Sequence, residues 1–173
     1  MSPTPQLLEQ NLAVDGECHA PILGSRTLHW PTEAACAATA HHLGTLPALR
    51  DATIELTGQL GAGKTTFVRH LLHALGVSGR VKSPTYAVVE TYALPGLAIA
   101  HFDFYRFNDA REWHDAGLRE LYASPGLKLA EWPEKARAQL PTPDLAITIR
   151  ALDEHARELQ LRAYSARGLA LLA

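Results

Sequence analysis

The stretch that most constrains the fold of this chain is residues 53–66, where a strand-like run passes through a glycine-rich loop into a helical pattern. Thr53–Thr57 alternates polar and apolar side chains, as a short β-strand does. Gly58–Thr65 reads GQLGAGKT and fits the phosphate-loop pattern G-x-x-x-x-G-K-[ST]. Apolar residues then recur at helical spacing, at Phe67, Val68, Leu71, Leu72 and Leu75. The order of strand, loop and helix predicts a nucleotide-binding α/β fold.

The residue types of the loop suit phosphate oxygens, which need several hydrogen-bond donors at short range. Glycines let consecutive backbone N–H groups point inward, and the helix N-terminus adds a partial positive charge. Lys64 supplies a mobile charge for the β- and γ-phosphates, and the Thr65 hydroxyl is a candidate Mg²⁺ ligand. The loop residues predicted to bind nucleotide are Gly58, Gln59, Leu60, Gly61, Ala62, Gly63, Lys64, Thr65 and Thr66. A purine nucleoside triphosphate with Mg²⁺ is the expected ligand.

The composition narrows the class of protein. With 173 residues, 47% of them hydrophobic and 20% charged, the chain is expected to form one domain, residues 25–173, after a flexible extension at residues 1–24. The formal net charge of −2 gives no overall basic signature, so contact with nucleic acid would be local or through a partner. Neither a membrane-length apolar run nor a secretory signal is visible. A cytoplasmic protein without membrane contact is expected.

The other patterns predict a mixed sheet flanked by helices. Strands are predicted at Arg26–Trp30, Thr53–Thr57, Tyr86–Tyr92, Leu97–Asp103, Leu127–Glu131, Leu145–Ala151 and Glu158–Tyr164. Helices are predicted at 33–46, from Phe67 to a terminating Gly76, and from about Ala110 after Asp109. The last two strands flank a turn and predict a C-terminal antiparallel hairpin. The fold class is therefore α/β, a P-loop NTPase-like sheet with mainly parallel central strands.

Two of the predicted strands end in an acid, Asp103 and Glu131. Ligands bind at the carboxyl ends of strands in open α/β sheets, so either acid is a candidate for holding Mg²⁺ or orienting water. Sequence spacing alone does not decide which acid has which role. His101 would share a strand face with Asp103, but a third metal ligand is not apparent, so a transition-metal site is not expected.

Two further segments of the chain contain candidates for the same site. Lys82, Ser83 and Thr85 are basic or small polar residues in a loop that could lie near a γ-phosphate, although an exposed connecting loop explains them equally well. Trp132 directly follows Glu131 and is a candidate pocket wall, although a tryptophan is more often a core residue.

Missing motifs separate the classes of phosphate-loop protein. A guanine-reading N-K-x-D is absent, and Arg106 occupies the glycine position of a D-x-x-G switch after Asp103, which argues against a signalling GTPase. A small-molecule kinase is an alternative, but it needs an acceptor pocket and often a basic lid, for which the only grouped candidates are Arg106, Arg111 and Arg119. A third hypothesis is a binding module in which hydrolysis is incidental.

Four motifs in order resemble a known family. They are GQLGAGKTTF at 58–67, VKSPTY at 81–86, HFDFYR at 101–106 and EWP at 131–133. Together they are similar to the TsaE (YjeE) family, small bacterial ATPases needed for the threonylcarbamoyladenosine modification of tRNA. The resemblance runs from about Arg26 to the C-terminus.

The resemblance implies a function and roles for matched residues. It implies a protein that binds ATP with Mg²⁺, hydrolyses it weakly alone and acts with the TsaD–TsaB heterodimer, which modifies adenosine 37, so that tRNA is reached through the complex. The roles implied are phosphate contact for Lys64, Mg²⁺ binding for Thr65 and Glu131, a switch threonine at Thr85, hydrolysis at Asp103 and a functional neighbour at Trp132.

Gln59 departs from the pattern of that family, which usually has an acid at this position. The side chain here is polar but uncharged. If an acid there aids hydrolysis, we expect slower turnover with nucleotide binding retained.

Overall fold

The computed structural model describes residues 20–115 and 117–173. Its strands are β1 Gly24–Trp30, β2 Thr53–Thr57, β3 Val89–Leu94, β4 Leu97–Asp103, β5 Leu127–Glu131, β6 Leu145–Ala151 and β7 Arg157–Ala163. Its α-helices are α1 Glu33–Thr45, α2 Lys64–Ala74, α3 Ala110–Asp115, α4 Leu118–Ala123 and α5 Ala166–Ala170, with 3₁₀ turns at Pro47–Asp51 and Pro133–Ala136. No helix in these two ranges is both long and apolar enough to cross a membrane.

The strands form one seven-stranded sheet in the order β1-β7-β6-β2-β5-β4-β3. The central strands β6, β2, β5 and β4 are parallel, whereas β3, β7 and β1 are added antiparallel. Every residue of β5 is buried, as expected for a parallel strand that is covered on both faces. The predicted fold class is confirmed, including the hairpin of β6 and β7, and β1 lies at one edge of the sheet.

Each face of the sheet packs against its own apolar cluster. Because side chains alternate along a strand, Ile54 and Leu56 of β2 face the cluster that includes α1 and α2. On the other face, Phe102 and Tyr122 belong to a second cluster built with α3 and α4. Phe67 of α2 is completely buried and stacks on Trp30 at 5.6 Å, a burial that contributes about 1.5–3 kcal/mol. This packing fixes α2 against the sheet directly after the phosphate loop.

The two ends of α2 are finished differently. At its C-terminus Gly76 has φ 104, its N–H donates to the carbonyl of His73 at 3.0 Å, and the N–H of Val77 donates to that of Leu72 at 2.9 Å. This Schellman arrangement ends the helix at the predicted glycine. At the N-terminus the cap residue is Gly63, which has no side chain to accept a hydrogen bond. The N–H groups of the first turn therefore point toward the loop and the space beyond it.

The strand before β4 and the helix after Asp109 differ in extent from their predictions. The strand predicted at Tyr86–Tyr92 begins at Val89, because Thr85 starts a turn in which Val88 has φ 66 and donates its N–H to the carbonyl of Pro84. The helix predicted from Ala110 is confirmed, but it is followed by a separate helix, α4, after Gly117 at φ 66.

The predicted extension at residues 1–24 falls mostly outside the described residues. Gly24 is the first residue of β1, so that strand starts two residues earlier than the predicted Arg26.

Candidate nucleotide site

A cavity of about 430 Å³ lies at the carboxyl ends of β4 and β5, in front of the N-terminus of α2. Ligands of open α/β sheets bind at this edge. The sequence-predicted residues that line the cavity are Leu60, Gly61, Gly63, Lys64, Thr65, Thr66, Ser83, Thr85, Asp103, Glu131 and Trp132. Tyr86, Tyr105 and Arg106 complete the wall.

The loop has a backbone that requires glycine at its start. Gly58 has φ 144, and a Cβ added there would lie 2.4 Å from the carbonyl oxygen of Ile149. The loop therefore passes against β6 more closely than any side chain permits. Two predicted residues act here through their backbone, because the carbonyls of Gly58 and Gln59 accept hydrogen bonds from Lys64 while the Gln59 side chain is exposed.

Lys64 is held at the centre of the loop with its side chain almost wholly buried. Its Nζ donates to the carbonyl of Gly58 at 2.5 Å and to that of Gln59 at 2.9 Å. The same Nζ lies 3.9 Å from the centroid of the Trp132 ring. Burial lowers the pKa of the Lys64 ammonium, and the nearby carboxylates, Glu131 first among them, oppose that shift. An ammonium has three donors, so one remains for an anionic ligand.

Trp132 covers Lys64 from an uncommon backbone conformation. It has φ 56 and ψ 45, a left-handed geometry that costs a non-glycine residue about 1–2 kcal/mol. Its ring also contacts Tyr105 at 5.0 Å, centroid to centroid. The sequence predicted Trp132 as a pocket wall, and the structure places it beside the phosphate-loop lysine.

Glu131 binds Thr65 and is almost fully buried. The Thr65 hydroxyl lies 2.8 and 3.0 Å from the two carboxylate oxygens of Glu131, and can donate to either. His101 Nε2 lies 2.8 Å from Glu131 Oε1. A hydroxyl and a carboxylate are the hard oxygen ligands that Mg²⁺ prefers.

Asp103 has a different set of partners, all from the loop before β3 and from its own C-terminal side. Its Oδ2 accepts hydrogen bonds from the hydroxyls of Thr85, at 2.8 Å, and Ser83. Its Oδ1 accepts from the backbone N–H of Tyr105 at 2.9 Å. Asp103 and Glu131 are paired in the register of β4 and β5, so the two acids lie next to each other at the sheet edge.

These residues fit a Mg²⁺ ion. Among residues 20–115 and 117–173 there is no group of three or more His, Cys, Asp or Glu arranged to hold a metal by themselves. Mg²⁺ typically keeps several waters and takes one or two carboxylates together with substrate phosphates. Thr65 and Glu131, already in contact beside the phosphate loop, match that donor set.

A second cavity of about 270 Å³ lies on the other side of the loop. It shares Gly61, Gly63 and Thr66 with the first cavity and includes the predicted residue Ala62. Its outer wall consists of Trp30, Thr32, Glu33, Cys36, Glu154, His155 and Arg157.

The second cavity is tied to the loop by a long-range hydrogen bond. Arg157 Nε donates to the carbonyl of Ala62 at 2.9 Å. Burial raises the pKa of the Cys36 thiol to about 12, so this thiol is a packing group of the wall rather than a nucleophile.

Sequence reasoning missed the residues of this second wall. They come from β1, α1 and the turn between β6 and β7, which are remote from the loop along the chain. None of them carries a local motif. Tyr105 was findable in principle, because it lies two residues after the predicted site residue Asp103, whereas Ser83 was already a candidate from the sequence.

Comparisons with known proteins agree on one family. The family model described as Threonylcarbamoyl adenosine biosynthesis protein TsaE matches residues 30–159. A relative from Haemophilus influenzae, tRNA threonylcarbamoyladenosine biosynthesis protein TsaE, is 42% identical over 115 residues, covering 66% of this chain and 72% of the relative. The protein of the same name from Bacillus subtilis is 37% identical over 114 residues, covering 66% and 71%.

One solved structure supports the fold. The crystal structure of Bacillus subtilis YdiB superposes with a TM-score of 0.70, covering 88% of this chain and 95% of that one. At 24% sequence identity, this similarity concerns the fold alone.

Proposed function

The chain belongs to the TsaE family of threonylcarbamoyl adenosine biosynthesis proteins, and on this premise we propose that it hydrolyses Mg²⁺-bound ATP in support of tRNA threonylcarbamoyladenosine formation. The observation that carries the proposal is a single cavity containing Lys64, the contact between Thr65 and Glu131, and Asp103. Such a cavity would place a cation, Mg²⁺ ligands and a second acid around the terminal phosphate of one ATP molecule.

Phosphate binding is assigned to the loop and to the open end of α2. The N–H groups of the first helical turn carry a partial positive charge and suit phosphate oxygens. Lys64 keeps its ammonium at the loop through two carbonyls and offers its third donor to the β- and γ-phosphates. The Thr66 side of the loop continues into the second cavity, which would take the nucleoside part of ATP.

Metal binding is assigned to Thr65 and Glu131. Bound there, Mg²⁺ would neutralise charge on the phosphate oxygens as the terminal phosphoryl group leaves. Glu131 presents both carboxylate oxygens to Thr65, so the hydroxyl and the acid are already at contact distance.

Hydrolysis is assigned to Asp103. The Thr85 hydroxyl and the Tyr105 N–H hold this carboxylate in one orientation from its two sides. In that orientation Asp103 can accept a hydrogen bond from a water molecule and direct its oxygen at the terminal phosphorus. The water oxygen bonds to phosphorus, the bond to the ADP oxygen breaks, and the proton of the water passes to Asp103 or to the phosphate released.

The partners are part of the proposal. We infer that TsaD and TsaB complete the activity in the cytoplasm, with tRNA bound by that complex, because the net charge of −2 does not favour direct binding of RNA. The mouth of the cavity has exposed side chains suited to a protein partner: Leu60 is 76% and Tyr86 84% exposed. Arg106 stacks on Tyr86 at 4.3 Å beside them. Low turnover of the isolated chain is part of the proposal, and we expect a partner docked at the mouth of the cavity to raise it.

The test is phosphate release from ATP by the chain alone and with TsaD, TsaB and tRNA. Lys64→Ala should abolish release under both conditions, whereas Lys135→Ala, which changes an exposed lysine, should not. Equal rates for Lys64→Ala and the unmodified chain would overturn the proposal. A kinase would instead transfer the phosphate to an added acceptor, and release without any effect of TsaD–TsaB would refute the partnership.

A further inference from the structure

His101 is a buried histidine behind the proposed Mg²⁺ site of Thr65 and Glu131. It lies in β4, is 0% exposed, and lines neither cavity of the nucleotide site. Its Nε2 is 2.8 Å from Glu131 Oε1. Among residues 20–115 and 117–173, its Nδ1 has no hydrogen-bond partner. Within the same residues, the one polar contact of this buried side chain is with the acid assigned to Mg²⁺.

The hydrogen bonds fix which ring nitrogen carries the proton. A carboxylate oxygen only accepts, so Nε2 must be the donor in the 2.8 Å contact. A proton on Nδ1 would be a buried donor without an acceptor, which costs more than leaving an acceptor unused. The hydrogen bonds therefore favour a ring proton on Nε2.

The same carboxylate is held from its other side by Thr65. Oε1 of Glu131 is reached by both His101 and Thr65, and Oε2 by Thr65. A glutamate side chain has three rotatable bonds, and burial alone does not choose the rotation of its carboxylate. The His101 donor restricts that freedom, since turning the carboxylate would break the Nε2–H bond of a fully buried ring.

We propose that His101 is a positioning residue that orients Glu131 through Nε2–H, so that the carboxylate faces Thr65 and Mg²⁺. This inference rests on the proposed function. His101 touches neither ATP nor the metal and takes no proton. It acts only through the acid that it holds, in the way that outer hydrogen bonds orient metal ligands.

The geometry supplies a matched pair of substitutions. The side-chain nitrogen of glutamine reaches the position of histidine Nε2, whereas that of asparagine reaches the position of Nδ1. His101→Gln should therefore retain the donor to Glu131, and His101→Asn should lose it while remaining polar. His101→Phe removes both nitrogens and keeps a flat ring of similar volume.

The measurement is the affinity for a fluorescent, non-hydrolysable ATP analogue over a range of Mg²⁺ concentrations and in EDTA. We expect His101→Asn and His101→Phe to raise the half-saturating Mg²⁺ concentration about 10-fold to 100-fold. His101→Gln should stay within about threefold of the unmodified chain, and affinity in EDTA should not change in any variant. Loss in His101→Gln equal to that in His101→Asn, or unchanged Mg²⁺ dependence in all three, would overturn the assignment.

A second measurement needs only the unmodified protein. Two-dimensional ¹H–¹⁵N spectra of the imidazole groups distinguish a protonated Nε2 from a protonated Nδ1. Among the histidines that the structure describes, His101 alone is fully buried, so its ring proton should exchange slowest. An Nδ1–H tautomer for that slow signal would refute the proposal even if the variants do not fold. Mg²⁺-independent nucleotide binding by the unmodified chain would instead refute the proposed function.

Discussion

Charged side chains lie at both edges of the central sheet, and the two edges neutralise them differently. At the amino-terminal edge of the parallel strands, opposite charges face each other directly. At the carboxyl edge, the charges face hydroxyls, carbonyls and backbone N–H groups. A charge that is already neutralised by an ion pair attracts a ligand only weakly. This difference therefore separates residues that stabilise the fold from residues that can bind a ligand or take part in chemistry.

The amino-terminal edge contains a connected ion network. Lys128 Nζ lies 3.9 Å from Asp51, and Arg167 lies 3.3 Å from Asp51 and 3.5 Å from Asp144. Asp144 also accepts from the Thr53 N–H at 2.8 Å. These contacts join α5 and the starts of β2, β5 and β6 across long stretches of sequence.

The carboxyl edge has a contrasting pattern. Within the described residues, Lys64 and Asp103 form no ion pair, and Glu131 is hydrogen-bonded to Thr65 and His101. Neutral hydroxyls, carbonyls and N–H groups of the protein stabilise these charges, but no ion pair in this part of the chain neutralises them. A phosphate and a divalent cation would supply the missing counter-charges.

The largest expected effect concerns Asp103. Asp103→Asn keeps the shape but weakens the acceptor, so phosphate release should fall about 100-fold or more while ATP binding is retained. Phosphate release and equilibrium binding of ATP measure the two quantities separately. Asp109→Asn, at an exposed aspartate outside the cavity, is the control. If Asp103→Asn released phosphate at a rate within twofold of the unmodified chain, the proposed difference in role between the two edges would be wrong.

The corresponding change at the other edge should affect stability instead. Asp144→Ala removes the acceptor for the Thr53 N–H and for the Ser165 hydroxyl, at 2.8 and 2.5 Å. We expect the free energy of unfolding to fall by about 2 kcal/mol, with ATP turnover per folded molecule unchanged. Urea denaturation measures the first and phosphate release the second. Glu120→Ala, at an exposed pair with Arg119, should change neither.

Two buried lysines, one at each edge of the sheet, allow the two edges to be compared by the same Lys→Met substitution. Burial lowers the pKa of both Lys64 and Lys128, so burying the charged form of each side chain opposes folding at neutral pH. Lys128→Met loses the hydrogen bond to the Ser124 carbonyl and should cost about 1 kcal/mol, with hydrolysis intact. Lys64→Met loses the hydrogen bonds to the carbonyls of Gly58 and Gln59, so it should also cost stability, but it alone should lose hydrolysis per folded molecule. Urea denaturation gives the folded fraction, and hydrolysis retained by Lys64→Met or lost by folded Lys128→Met would contradict this division.

The smallest expected effect is a pH dependence at the amino-terminal edge. The Gly126 N–H first, with Lys128 and Arg167 adding to it, lowers the pKa of Asp51 below its ordinary 3.8. A carboxyl with a lowered folded pKa stabilises the protein above its unfolded pKa and loses that contribution as pH falls through the folded value. Stability should therefore decrease below about pH 4 slightly more in the unmodified chain than in Asp51→Asn. Urea midpoints between pH 6 and pH 3 provide the comparison, and parallel curves would exclude this contribution.

The sequence predicted the carboxyl edge better than the amino-terminal one, for a physical reason. Lys64 and Thr65 belong to a local motif, and Asp103 and Glu131 end buried strands, so parallel pairing brings them together. Asp51 belongs to no motif. Its contacts with Arg167 and Lys128 depend on how distant parts of the chain fold back.

Other features depended on tertiary structure as well. His101 and Asp103 share a strand face, yet one bonds across to β5 and the other to a loop, which alternation cannot reveal. β3 starts later than predicted because of the turn at Val88. The positive φ of Val88 is not indicated by any sequence pattern. Trp132 next to an acid indicated a pocket wall, but its position over Lys64 depends on its own left-handed backbone.

Asp103 and Glu131 stand opposite each other on adjacent strands, so ladder hydrogen bonds, not loops, set the distance between them. Insertions or deletions in the segments that follow these strands would leave that distance unchanged. A one-residue slip of either strand would instead turn its acid to the opposite face. Changes in the lengths of those segments would therefore act on the contacts of Tyr105 and Trp132, whereas the spacing of the two acids is retained with the sheet.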